Sequence, residues 1–211
     1  MDNNRRRVMV KAAGGGGVDY VDLGLPSGLV WAVGNLVKDS QGNYSTGAET
    51  DWGTYVSWGN IDGHNEGEGY NFYSSTYNGT PGKALTADIP SSDSAHDICL
   101  ARLGAPWHLP TKEDLQELYD NTDREWTTIN GVNGWKFMKK TDHSLYVFFP
   151  AAGYGERTSI RSRGSIGQYW TSSWQSAAYA HDAYFSSYTF SPLNYIDRYS
   201  GFSVRAVCKP T

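Results

Sequence analysis

An α+β domain follows from three features of this chain. Short apolar runs are set apart by Gly-, Asn- and Ser-rich joints, two mid-chain segments carry helical periodicity with capping residues, and strand-like runs stand at both ends. The order is strand, strand, loops, two helices, then strands to the end. It gives two helices plus antiparallel sheets, with N- and C-terminal strands paired and a long irregular insert before the helices. At 211 residues the length suits one domain able to bury a proper core.

Residues 1–17 close on four glycines, which maximise backbone freedom, and read as a flexible leader or tether; residues 18–211 read as the domain. Asp19–Leu23 and Leu29–Val33 are expected strands. Leu25-Pro26-Ser27-Gly28 between them is a turn, with Pro presetting φ and Gly free to take a positive one. From Lys38 to Pro90 the chain is dominated by Gly, Asn, Ser, Asp and Tyr, with Tyr55–Gly59 the one strand-like island. Trp52, Trp58, Tyr70, Phe72 and Tyr73 are the candidate anchors of this irregular region. Asp93 or Ser94 is placed to cap the first helix, Asp97 falls in its opening turn, and Ala95, Ile98, Cys99 and Leu103 share a face before Gly104 and Pro106 end it. Thr111 caps the second helix. Glu113 and Asp114 set negative charge at its positive end, and Leu115, Leu118 and Tyr119 lie at i, i+3, i+4. Asn130-Gly131 and Asn133-Gly134 are tight-turn signals, and Trp135–Lys140 is expected to pair with Leu145–Phe149 across Thr141–His143. Gln168–Trp174, Ala183–Phe190 and Phe202–Val207 complete the expected strands.

Composition narrows the function. A net charge of -4 and a pI of about 5.7 give no basic face for nucleic acid, and Arg5–Arg7 is too short a cluster to change that. Eight Trp and 15 Tyr exceed what a core built of Leu and Ile needs, so aromatics serve something besides filling. Cys99 and Cys208 are too few for a disulfide framework or a zinc site; burial as free thiols and a single bridge both stay open. No apolar run approaches a membrane span or a signal-peptide core, so export would need another route. The segment from about 175 to 200 is rich in Tyr and Ser, and runs straight into the apolar FSVRAV.

Five islands in order, YVDLGLPSGLVWA, YVSWGN, WHLPTKEDLQELYDN, FFPAAGY and QYWTSSW followed by RYSGFSVRAVC, resemble a domain widespread in bacterial surface proteins and phages. That domain, the major paralogous or FISUMP-type domain, is similar to the formylglycine-generating-enzyme branch of the C-type lectin fold, and the resemblance covers about residues 18–208. Within it the tail is similar to the variable region of a diversity-generating retroelement target protein. In such proteins the surface residues change wherever the template carries adenines, typically in AAC codons. Randomising the first two bases of AAC cannot yield Lys, Glu, Gln, Met or Trp, and none of the five occurs from Ser176 to Val207. Gln175 departs from that rule.

The resemblance implies a ligand-binding face whose shape is held elsewhere. Ala177, Ala180, Ala183, Phe185, Phe190 and Pro192 read as scaffold. Interleaved with them, Ala178, Tyr179, His181, Asp182, Tyr184, Ser186, Tyr188, Thr189, Ser191, Leu193, Asn194, Tyr195, Ile196, Asp197 and Ser200 read as variable contact positions. Tyr offers large amphipathic area at low rotamer cost, and Ser and Asn give adaptable hydrogen bonds. Tyr179, Tyr184, Tyr188 and Tyr195 are the candidate anchors; the structural alternative, an edge packed on its own sheet, is most open for Tyr184. His181, Asp182 and Asp197 read as polar contacts. Trp170, Trp174, Phe202, Val204 and Val207 read as core, Gly201 as a turn residue, and Arg198 and Arg205 as structural hydrogen-bond donors or ion-pair partners.

Catalysis is not expected. Formylglycine-generating relatives need a close cysteine pair near the C-terminus for copper, and Cys208 stands alone there. His64, His96, His108, His143 and His181 lack the spacing that sets two ligands on one helix face, and no GxSxG elbow is present. No cofactor is expected. The oxygen-rich run Asp62–Glu68 could hold a structural Ca²⁺ or be a solvated loop. The expected partner is a protein or glycan ligand on a cell surface, met from a phage virion or a bacterial surface; the alternatives are an undiversified surface or fimbrial-tip domain and, third, an oxidoreductase of the formylglycine-generating type.

Overall fold

The computed structural model describes residues 8–11, 17–73 and 81–210. The chain opens with β1 (Val8–Lys11), β2 (Gly17–Val21) and β3 (Val30–Ala32), then a small hairpin of β4 (Leu36–Lys38) and β5 (Tyr44–Thr46). Two helices follow, α1 (Ile98–Leu103) and α2 (Lys112–Asn121). The rest is strands: β6 (Thr122–Ile129), β7 (Val132–Lys139), β8 (Asp142–Pro150), β9 (Tyr154–Glu156), β10 (Ser159–Arg161), β11 (Ile166–Trp174), β12 (Tyr179–Ser186), β13 (Thr189–Asp197) and β14 (Val207–Cys208). This is an α+β arrangement of antiparallel sheets, and it joins the two ends of the domain. β14 pairs with β3, Val207 opposite Trp31 and Cys208 opposite Val30, in the order β1-β2-β3-β14. Part of the segment read as a leader, Val8–Lys11, lies antiparallel to β2, while residues 1–7 and 12–16 fall outside the described residues.

Local chemistry accounts for the helix ends. Thr111 and Asp114 form a reciprocal capping box at α2, and Leu115 and Leu118 are buried beneath it. At α1 the cap is Asp97 rather than Asp93 or Ser94. Asp93 is occupied with its own turn, accepting from Ala95 N and meeting His96, and Ala95 therefore lies outside the helix. Asp97 instead accepts from Leu100 N at 3.0 Å and from Leu109 N at 2.9 Å, so one buried carboxylate caps the helix and pins the strand-like run after it.

Strand assignments need five corrections. β6 was not expected; Asp123, Arg124 and Glu125 give it a solvated face that masks the strand pattern. It joins β7 through Asn130 and Gly131, both at positive φ (49° and 81°), the two-residue turn that matches strand twist. Asn133-Gly134 is no turn but lies inside β7, where a Cβ on Gly134 would sit 2.2 Å from the Phe149 carbonyl oxygen. The β7–β8 turn is Lys140-Thr141, which leaves Asp142 and His143 in β8; Trp135 still faces Phe149 as expected. Ala183–Phe190 is not one strand, since the chain reverses at Ser187-Tyr188 between β12 and β13. Only Val207 of the Phe202–Val207 run belongs to a ladder strand; Phe202 and Ser203 make isolated bridges to Val56 and Tyr169.

Two apolar clusters hold these sheets. Strand alternation sends Val30, Ala32, Trp170, Ala180 and Phe202 to one, and Trp31, Tyr169, Ala183, Phe185 and Phe190 to the other. The irregular insert is anchored largely as expected: Trp58 and Phe72 are buried, Trp52 and Tyr70 half-buried, and only Tyr73 is exposed. Trp58 Nε1 donates to the Thr171 carbonyl at 2.8 Å, which ties the insert to β11.

Candidate functional site

Position along the hairpin sorts the side chains of β12 and β13. Inward, Phe185 and Phe190 stack with centroids 5.4 Å apart, and Phe190 meets Phe137 edge-on at 4.9 Å and stacks on Tyr119 of α2 at 5.6 Å. Outward, Tyr179 (40%), Leu193 (48%), Tyr195 (54%) and the hairpin-tip Tyr188 (96%) stay in water. β13 is the edge strand of its sheet. Between the pairs Asp182–Asn194 and Tyr184–Ser191 it runs one residue longer than β12, a bulge at Pro192-Leu193. An edge bulge accommodates a residue without an N–H and turns the edge from further pairing.

Of the expected contact positions, Ala178, Tyr179, Tyr188, Thr189, Leu193 and Tyr195 are exposed. Tyr184, Ser186, Ser191, Asn194, Ile196, Asp197 and Ser200 are half-buried, with Ile196 packed on the core. His181 and Asp182 are corrected: both are buried. Asp182 accepts from Gln168 Nε2 at 3.2 Å and Asn194 Nδ2 at 2.9 Å, and burial pushes its carboxyl up to about 7 against the pull of those two donors. His181 Nδ1 lies 3.1 Å from the Asn194 carbonyl, and its ring meets the edge of Tyr195 at 6.1 Å. Among the scaffold positions Ala180, Ala183, Phe185, Phe190 and Pro192 are buried, whereas Ala177 is exposed in the loop before β12.

A cleft of about 520 Å³ opens between β9 and this hairpin. Tyr184, Asn194, Tyr195, Ile196, Asp197 and Ser200 line it from the expected set. Tyr154, Glu156, Ile166, Gln168 and Tyr199 complete it and were not anticipated. The backbone explains how β9 arrives there. Gly155 bridges Gly201, and the Phe72 ring lies so close that a Cβ on either glycine would fall 2.5 to 2.6 Å from it. Gly201 therefore serves close approach rather than a turn, since its φ is not in the left-handed region. Burial, with Asp197 next to it, raises the Tyr199 phenol above the usual value.

Two buried arginines hold the frame, as structural donors. Arg198 gives to the carbonyls of Leu85 (2.9 Å), Gly82 (3.2 Å) and Ser176, and its guanidinium lies 4.7 Å over the Trp58 ring, so the end of β13 is tied to the insert and to the entry of β12. Arg205 gives to Ala32 O, Val33 O, Phe148 O and Asn35 Oδ1, which joins β3 to β8. Trp170, Phe202, Val204 and Val207 are core as expected, and Trp174 packs half-buried against it.

Elsewhere the carboxylates of the Asp62–Glu68 loop are paired with cations: Asp62 with Arg102, Glu66 with Arg163 at 2.5 Å, Glu68 with Lys38 at 3.0 Å. Such pairing competes with Ca²⁺ coordination. His96 and His143 each face a carboxylate of their own, Asp93 and Asp123, and His64 stacks on Tyr70. Among the described residues no group of three or more His, Cys, Asp or Glu converges as a metal site. Cys99 and Cys208 are buried free thiols, and no helix among the described residues is long and apolar enough to cross a membrane. No family model, curated protein or solved structure matches the chain.

Proposed function

We propose that the chain is a ligand-binding module of the C-type lectin type, which meets a protein or glycan on a cell surface through the outer face of β12–β13 and the adjoining cleft. Its parent would be a retroelement-diversified variable protein of a phage or bacterial surface, and its work binding rather than catalysis. One observation carries the reading: Tyr179, Tyr188, Leu193 and Tyr195 are exposed on a hairpin whose fixed contacts are made by other side chains, Phe185 and Phe190 in an apolar cluster and Arg198 at the insert. Side chains free of structural duty can change without unfolding the frame, and Tyr in that position supplies contact area.

The test is capture from host-cell surface extracts by the native chain and by one carrying Ala at Tyr179, Tyr188 and Tyr195, with equal melting temperatures required of the pair. Capture by the native chain alone is expected. Equal capture would remove the face. A second reading, an undiversified domain with a fixed ligand, is favoured by the burial of His181 and Asp182 inside the supposedly variable set. Genomes from one population separate the two. Diversification predicts codon differences at the exposed positions with Ala183, Phe185 and Val204 unchanged, and a fixed ligand predicts none.

A further inference from the structure

The cleft beside the hairpin has a chemistry more specific than contact area. Four phenol rings, Tyr154, Tyr184, Tyr195 and Tyr199, share it with the carboxylates of Glu156 and Asp197, and no Lys, Arg or His is among the described residues that line it. Gln168, itself buried, and Asn194 spend an amide N–H each on Asp182, so the uncharged groups at the base are already oriented from behind. Aromatic faces carry negative potential, and carboxylates beside them reinforce it; a cation is the ligand that both attract. Two basic side chains stand nearby and do not cancel this. Arg161 reaches Glu156 at 3.7 Å with both side chains more than half exposed, a geometry that gives a weak, salt-screened pair. Arg157 is not among the lining residues and lies 5.3 Å over the ring of Tyr73, an aromatic face that already engages its charge.

We infer that this cleft receives a positively charged side chain, Arg or Lys, projecting from a protein partner. The inference rests on the binding-module reading and deepens it. A protein is favoured over a free ammonium ion because the cleft is continuous with the exposed hairpin face: Tyr195 lines the one and, at 6.0 Å between centroids from Tyr179, belongs to the other. A basic side chain in the cleft would let its flanking backbone lie across Tyr179 and Leu193. A neutral glycan would suit the amides and tyrosines, but would bring no counter-charge to Asp197 and leave Glu156 with only its exposed pairing to Arg161.

The test measures binding of capped Gly-Arg-Gly, the same peptide with citrulline, tetramethylammonium, and a panel of neutral oligosaccharides, by tyrosine-edited NMR titration of the full chain. The arginine peptide is expected to bind at least about tenfold more tightly than its uncharged citrulline twin, and to weaken as salt rises. Glu156→Gln and Asp197→Asn, made singly and together, are expected to lower that affinity by about tenfold or more for the pair, and Gln41→Ala, in the β4–β5 turn, to leave it unchanged. Equal binding of the arginine and citrulline peptides, preferential binding of an oligosaccharide, or tetramethylammonium binding as tightly as the arginine peptide would each overturn the inference. Extract capture that depends on the outer tyrosines but is neither salt-sensitive nor displaced by the arginine peptide would sink the cation site and leave the module reading standing; loss of all extract capture would sink the module reading, while the peptide titration still decides the cleft.

Discussion

On the inner face of β12–β13, Phe185 and Phe190 are nearly out of water and lie against Tyr169, Phe137, Trp135 and Tyr119. Toward the open end of the same hairpin Tyr179, Leu193 and Tyr195 keep between 40% and 54% of their surface exposed. The two sets lie on the same two strands, yet one carries fold energy and the other is left available. An aromatic-rich stretch therefore has no single cause: what packs over each position, here Tyr119 of α2 with Trp135 and Phe137 of β7 over Phe190, assigns each ring its work.

The sharpest way to break this contrast is on the inner face. Phe185→Ala is expected to cost about 3–5 kcal/mol, because it removes a fully buried ring and leaves a cavity between sheets whose backbones cannot close together. Chemical denaturation measures it. A loss below about 1 kcal/mol would mean the hairpin is held by its ladder alone, and the division between faces would fail.

Asp182 tests the division from within, since it belongs to the expected contact set but sits inside the protein. Its folded-state pKa of about 7 lies above the ordinary carboxylate value of 3.8, so the native state holds the proton more tightly than the unfolded chain. Stability tied to this group is complete below about pH 4, declines as pH rises toward 7, and is flat beyond, a span on the order of 4 kcal/mol. Asp182→Asn should flatten that slope and leave the protein more stable at pH 8, because one amide of Gln168 or Asn194 can flip to meet the new N–H₂. Asp182→Leu should lower stability at pH 4 by about 2 kcal/mol, as the buried Gln168 amide loses its acceptor. Urea melts of the three proteins from pH 4 to 8 decide it; a native slope no steeper than that of Asp182→Asn would show the carboxylate to be ordinary.

What the sequence discloses and hides follows the range of the interactions. The α2 cap is local: Thr111 and Asp114 are three residues apart, and both the cap and its buried leucines are legible in the chain. The small and apolar scaffold positions of β12 are legible too: Ala180, Ala183 and Phe185 are all buried as expected. Asp182 depends on Gln168, 14 residues back in another strand, and on Asn194 across a bulge, which nothing near it announces. The cleft is harder still, because Tyr154 and Glu156 reach it only through the Gly155–Gly201 bridge, and a glycine that serves close approach to Phe72 looks in sequence like one that serves a turn. β6 is hidden for the opposite reason: its charged, solvated residues suit its position but not the usual strand composition.

The outer face should give the smallest stability effects and thereby sharpen the contrast. Tyr195→Ala and Tyr188→Ala are each expected to change folding stability by no more than about 0.5 kcal/mol. They should part in binding. Tyr195 lines the cleft and has Tyr179 and His181 around it at 6.0 and 6.1 Å, so a ligand there removes water from a ring already partly enclosed; its truncation should weaken capture by about 2 kcal/mol. Tyr188, 96% exposed at the tip, has no ring neighbour among the described residues and no shell to exclude water from a contact; its truncation should weaken capture by less than about 0.5 kcal/mol. Surface plasmon resonance against a captured ligand measures both. Should Tyr188→Ala prove the more damaging, the energetic centre of binding would lie at the hairpin tip, and the cleft, with its carboxylates, would be a bystander to recognition.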